Sequence, residues 1–314
     1  MSNAAQSNSA AAESRKSRVV TLPPVSLLSN ISAEPFVDTH AHLHYVLEKL
    51  PDSFGLTSLE ALKEDHFPKN LECVINVLCE PESFYPDLYP GTFRDWRVMA
   101  STPYVYLTAG VHPHSARLYD DQIEAQMIEI LLHEKTVALG EIGLDYHYDN
   151  SPRDVQREVF IRQIKKAIDF NKPLVIHTRE AEQDTWDIMR EHVPKEWKVH
   201  VHCFTDSPEF ATKLLEYFPN LFLGITGVVT YSSAKNTQQI VRSVVPLNRF
   251  LLETDAPYMT PAKLNRNKRT HEKITVSHSG MIPFVAERIA QLRGIGVDDV
   301  MKAARENARE MYGV

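Results

Sequence analysis

The sequence predicts an α/β protein folded as a single (β/α)8 TIM-type barrel, and three observations carry that prediction. Eight short β-rich runs recur along the chain, and most are apolar throughout. Continuous apolar runs mark strands buried on both faces of a parallel sheet, where strict alternation would mark one wet face. Helix-like amphipathic stretches separate them, and about 280 residues hold the series, a usual size for this barrel. A doubly wound open sheet is the runner-up. No Gly-x-Gly-x-x-Gly follows the first run, so a dinucleotide-binding fold has no support.

The chain opens on MSNAAQSNSAAAESRKSRVV, rich in Ser, Ala and Asn and without an apolar h-region. Residues 1–30 therefore read as a disordered tail rather than a secretory signal, with a small basic cluster at Arg15, Lys16 and Arg18. Residues 31–314 read as the barrel. Its strands are expected at 35–40, 71–78, 104–111, 136–142, 173–178, 198–204, 221–229 and 249–254. In 120–134, Ile123, Met127, Ile130 and Leu131 share a helical face; in 153–171, Val155, Val159, Phe160, Ile164 and Ile168 do the same. Asn171 and Pro173 supply a stop after the second. Stretches 180–192, 207–218, 233–244 and 281–292 read as further crossover helices, and 297–312 as a closing helix. Residues 79–102, rich in Pro and aromatics, carry no clear element.

A formal net charge of −7 argues against a generally basic nucleic-acid coat, so any phosphate contact must be local. No apolar run is long enough to span a bilayer, and no membrane partner is expected. Cys73, Cys79 and Cys203 have no metal-type spacing, and their odd number fits a reduced cytoplasmic or nuclear compartment. A monomer is expected.

The polar residues fall where chemistry would need them. His40 and His42 follow the first strand, His112 the third; Glu141 ends the fourth, His177 the fifth, His202 the sixth, and Asp255 follows the eighth. In a barrel, the C-terminal strand ends converge on one mouth. Any one of these residues alone is more often a satisfied strand-end polar group or a turn. Together, and leaving His112 aside, four imidazoles and two carboxylates make the donor set of a binuclear metal centre. His200 is expected in the core, and Cys203 in packing. His66, His114, His133, His147, His192, His271 and His278 read as ordinary surface or loop residues; His44 is ambiguous.

The segments DTHAHLH, GVHPH, GEIGLDY, PLVIHTREA, HCFT and LLETDAPY resemble the ordered motif series of the TatD family of metal-dependent nucleases, a branch of the amidohydrolase-type barrels. The resemblance spans about residues 35–314. VIHTREA, HCFTDS, TYSSA and HSG are also similar to the eukaryotic subgroup that contains TatD DNase domain-containing protein 2. Two departures stand out: His44 replaces an Asp common after His-x-His-Leu, and residues 260–281 lack a clean Arg…Asn-x-Pro pattern.

The resemblance implies a nuclease that hydrolyses phosphodiester bonds of DNA and/or RNA with two divalent metal ions. His40, His42 and Asp255 would hold one ion, His177 and His202 the other, and Glu141 would bridge them. Mg, Mn or Zn would serve; imidazole suits Mn and Zn better than Mg. Two such ions, roughly 3.5–4 Å apart, activate a shared water. Glu141 and Asp255 are the expected catalytic residues, Asp255 doubling as ligand and general base. His112 and Arg179 are the candidate phosphate contacts, and Glu253 would orient Asp255 or a ligand histidine from behind. Lys263, Arg266, Lys268, Arg269 and Lys273, opposed only by Glu272, read either as a solvated face or as a basic funnel for a nucleic-acid substrate. No helix-turn-helix, finger or RRM signature is recognised, so binding should not be sequence-specific. The alternatives are a metal-dependent ester or amide hydrolase, such as an aminoacyl-tRNA deacylase, and a non-catalytic barrel scaffold.

Overall fold

The computed structural model describes residues 22–50, 54–56, 58–148, 150–264 and 274–314. Eight parallel strands lie side by side in chain order: β1 Phe36–Ala41, β2 Leu71–Leu78, β3 Val105–Ala109, β4 Thr136–Asp145, β5 Leu174–Arg179, β6 Val199–Val201, β7 Leu221–Ile225 and β8 Phe250–Leu252. Helices fill the crossovers and the ends: α1 Val25–Ser29, α2 Leu43–Lys49, α3 Leu59–His66, α4 Trp96–Ser101, α5 Asp121–Leu131, α6 Arg153–Asp169, α7 Glu182–His192, α8 Pro208–Tyr217, α9 Lys235–Gln239, α10 Ile282–Arg293 and α11 Val297–Tyr312. The expected barrel is the observed one. Residues 79–102, opaque in sequence, hold two short 3-10 turns and α4.

Strand side chains separate by period two. Phe36, Val74, Leu139, Ile176, Leu223 and Leu252 join the large core that packs the helices. Their neighbours Val37, Ile75, Ala138, Val175, Phe222 and Leu251 form a second cluster, stoppered by Met311 and Tyr312 at the end of α11. Both sets are buried, which is why the strands read as continuously apolar.

The ring closes between β1 and β8. Asp38 accepts from the Thr254 N–H (2.9 Å) and from its hydroxyl (2.6 Å). The Asp255 N–H donates to the His40 carbonyl, and the His42 N–H to that of Ala256. The seam thus runs through the residues flanking His40, His42 and Asp255, so closing the barrel also sets these three side chains.

Residues 22–30, assigned to the tail by sequence, include α1, whose Leu28 is buried beside Leu264, Met281 and Phe284. The tail expectation for residues 1–21 lies outside the described residues, as do Arg266, Lys268, Arg269, Glu272 and Lys273 of the expected funnel and His271, expected as a surface or loop residue. Lys263 is described, and its ammonium pairs with Glu287 at 3.0 Å. His278, expected at the surface, is fully buried and stacked on Phe67, its Nδ1 accepting from the Gly280 N–H at 3.1 Å.

Candidate metal centre

Glu141 organises the site. It was expected at the end of its strand, but β4 runs on to Asp145. The pairing of β4 with β5 shifts between Leu139 and Ile142, a bulge of the kind that re-aims a side chain. The Glu141 carboxylate is buried, and its two oxygens face different histidines. Oε2 lies 3.3 Å from His40 Nε2 and 4.0 Å from His42 Nε2. Oε1 lies 2.8 Å from His177 Nδ1, 2.6 Å from His202 Nε2 and 3.4 Å from His112 Nε2. Asp255 joins the first group, 3.6 Å from His42 Nε2 and 4.0 Å from His40 Nε2. Its backbone φ is +51°, a left-handed conformation that Asp tolerates better than most residues and that often marks functional sites.

The far side of each ring shows which nitrogen is free to bind. His42 Nδ1 is 3.2 Å from the Val77 carbonyl, which can only accept, so Nδ1 carries the proton and Nε2 offers its lone pair inward. His177 turns Nε2 to Asp145 Oδ2 at 3.3 Å, leaving Nδ1 inward. His202 Nδ1 faces Glu253 Oε1 at 3.9 Å, beyond hydrogen-bond reach, with Nε2 inward. An imidazole whose other nitrogen is tied to a carbonyl or carboxylate, as in His42 and His177, is the usual form of a metal ligand. His112 differs. Its Nδ1 accepts the His114 N–H at 3.1 Å, so in the neutral ring Nε2 carries the proton. His112, Glu141 and His177 lie close enough to hold an ion, but the tautomer makes His112 a donor into the site rather than a ligand.

The electrostatics of the cluster argue for a cation. Burial works against charge throughout. Beside it, the histidines hold Glu141 well below the usual carboxylate range. Burial also opposes a proton on His177, yet Asp145 and Glu141 outweigh it and raise this imidazole to about 9. Burial lowers His40 to about 3, and its Nδ1 has no hydrogen-bond partner. His177 Nδ1 and His202 Nε2 approach within 3.1 Å. Converging nitrogens around a buried carboxylate are a donor set that suits a divalent cation.

The structure brings together all six residues expected to bind metal. Arg179 stands at the rim with its guanidinium over Tyr148, 5.1 Å from the ring centre. The neighbouring carboxylates Glu182 and Asp184 are engaged elsewhere, Glu182 with Ser207 and Asp184 with Tyr146 and Arg157. Glu253 lies behind His202 rather than behind Asp255. It accepts the Cys203 N–H, and its Oε2 is 2.9 Å from His200 Nε2. His200 is in the core as expected, its Nδ1 2.6 Å from the Tyr312 hydroxyl. Gly224 makes room for this pair: a Cβ there would come within 2.5 Å of both Glu253 and His200.

Two residues were missed. Asp145 bridges His177 and His114 through Oδ2, 3.3 Å and 3.0 Å away. His114 had been read as an ordinary loop residue. The spacing of Asp145 from Glu141, four along one strand, was the available signal, since even spacings share a face.

The TatD related DNase family model matches residues 37–313. The chain is 36% identical over 292 residues to the human 3'-5' RNA nuclease TATDN2, covering 93% of this chain and 37% of that protein. It therefore spans little more than a third of that relative's length. It is 32% identical to the metal-dependent hydrolase YabD of Bacillus subtilis, covering 88% of this chain and 98% of that one. It is 30% identical to the 3'-5' ssDNA/RNA exonuclease TatD of Pantoea ananatis, over 68% and 80% of the two chains. Among solved structures, the TatD homologue YJJV of Escherichia coli superposes with a TM-score of 0.70 at 23% identity, over 89% and 98% of the chains.

Proposed function

This chain belongs to the TatD family, and from that premise we propose that it is a divalent-metal-dependent nuclease acting on single strands or accessible ends of DNA or RNA. The division of Glu141 carries the reading: one carboxylate oxygen faces His40 and His42, the other His177 and His202. A carboxylate so placed suits a bridge between two cations. Asp255 would complete the first set, and Asp145 and the Val77 carbonyl would hold His177 and His42 in their ligand tautomers.

Bound there, divalent ions supply Lewis acidity toward a phosphodiester and toward water. The protein's own groups do the rest. Asp255 accepts the proton released by the attacking water. His112, as an Nε2–H donor, and Arg179, as a rim cation, contact phosphate oxygens. His114 fixes the His112 tautomer through its backbone N–H.

The test is phosphodiester cleavage by protein stripped of metal and refilled with Mg, Mn or Zn, on single-stranded DNA and RNA. The comparison protein carries His177→Ala and Asp255→Ala. Metal-dependent cleavage lost in that variant is the expected result. Two bound ions with no cleavage, but turnover of an ester or aminoacyl ester, would replace the nuclease by an acyl hydrolase. Failure to bind any ion would favour a scaffold.

A further inference from the structure

Among the described residues, most exposed large hydrophobic side chains are aliphatic. Two are tyrosines against the metal centre: Tyr148 is 47% exposed and Tyr258 is 44% exposed. They reach Glu141 through different histidines. The Tyr148 ring is 5.5 Å from that of His114, which is 4.4 Å from His112, itself 4.7 Å from His177. That path leads to Oε1. The Tyr258 ring is 6.4 Å from that of His42, on the Oε2 side. Each is tied to a site carboxylate residue by its backbone: the Tyr148 N–H donates to Asp145 Oδ1 at 3.2 Å, and the Tyr258 N–H to the Asp255 carbonyl at 2.9 Å. Each also carries a cation over its ring, Arg179 at 5.1 Å from Tyr148 and Lys49 at 4.1 Å from Tyr258.

A half-exposed aromatic ring with a cation stacked on it offers what a nucleotide needs, a surface for the base and a charge for its phosphate. Here the arrangement occurs twice, once along each path to the cluster, in a chain whose net charge of −7 otherwise repels a polyanion. We propose that Tyr148 and Tyr258 are paired base-stacking platforms, so that a single strand crosses the mouth with its reacting phosphodiester between two stacked bases. The proposal rests on the nuclease reading and adds to it what the substrate must carry: a base on each side of the bond. Stacking reads no base edge, so cleavage tolerates sequence. It needs bare base faces, so intact duplex is a poor substrate.

The test uses the metal-loaded full chain and a cleavage-resistant, phosphorothioate-linked single strand. One version carries 2-aminopurine at the two central positions; the other is abasic there. The parent should bind the base-bearing strand with a change in 2-aminopurine fluorescence. Tyr148→Leu and Tyr258→Leu should each weaken that binding roughly fivefold to a hundredfold, the range for one lost stack. Neither should weaken binding of the abasic strand, and Tyr148→Phe and Tyr258→Phe should restore the fluorescence change. Equal loss on both strands would make the tyrosines structural walls and overturn the proposal. So would unchanged binding, or a parent that does not distinguish the two strands. Cleavage of unmodified strands is measured alongside. A parent that stacks the bases but never cleaves would remove the nuclease reading and leave the platforms standing; one that cleaves without stacking would do the reverse.

Discussion

At the scale of single residues, Glu141 stands between the two sets of imidazoles. Its Oε2 lies 3.3 Å from His40 Nε2 and its Oε1 2.6 Å from His202 Nε2. Glu141→Gln keeps the volume, removes the charge and turns one acceptor into a donor aimed at histidine nitrogens. Metal bound per chain, measured by elemental analysis after dialysis, should fall, and cleavage should drop by at least about a hundredfold, as for loss of a group that stabilises transition-state charge. A variant with the parent's metal content and rate would remove the bridging role. Much of this site was legible in sequence because a barrel converts position along a strand into position in space. His40, His42, His177, His202 and Asp255 all lie at or just past strand ends, and all reached the centre. What stayed hidden depends on which ring nitrogen faces inward. Whether His112 is a ligand or a donor turns on its bond from the His114 N–H, a contact no residue spacing encodes.

At the scale of elements, α6 does more than cover the sheet. Gln156 and Gln163 are seven apart, two helical turns, and both are fully buried on the barrel face. Gln163 accepts from the Val111 N–H at 2.7 Å and donates to its carbonyl at 3.1 Å, fixing the backbone just before His112. Gln156 does the same for Asp145, at 2.9 Å and 3.1 Å. One helix therefore holds the approach to His112 and the carboxylate behind His177. Gln163→Met keeps the bulk and orphans two buried backbone groups, at a cost of about 1–3 kcal/mol for each group left unpaired. The denaturant midpoint should drop, and the KM for a single strand should rise because His112 loses its seat. Loss of stability with unchanged KM would confine Gln163 to a packing role. In sequence these two polar residues on a helical face gave no warning of burial. Their partners are backbone groups of distant strands, and the apolar pattern of the helix was sufficient without them.

At the scale of the whole molecule, fold and site are joined at one seam. The bonds that close β1 onto β8 flank His40, His42 and Asp255, so any change that opens the ring disperses the three together. The second set is held by charge. With no metal present, burial opposes a proton on His177, but Asp145 and Glu141 raise it to about 9 against 6.5 for an ordinary imidazole. Because the folded value is the higher, this ion pairing stabilises the metal-free protein fully below about pH 6.5. It is lost as pH rises through about 9, and the shift corresponds to roughly 3 kcal/mol at most. A metal ion must displace that same proton. Apparent metal affinity should therefore rise with pH, by up to about tenfold per unit between pH 7 and 9, with proton release on binding. Calorimetric titration of the stripped protein with Zn or Mn in buffers of differing ionisation enthalpy measures both quantities. His177→Ala should bind more weakly and lose most of the slope over that interval. Affinity that stays flat from pH 7 to 9 in the parent would mean that the His177 proton is not in competition with the ion, and that the second half of the centre is not a metal site.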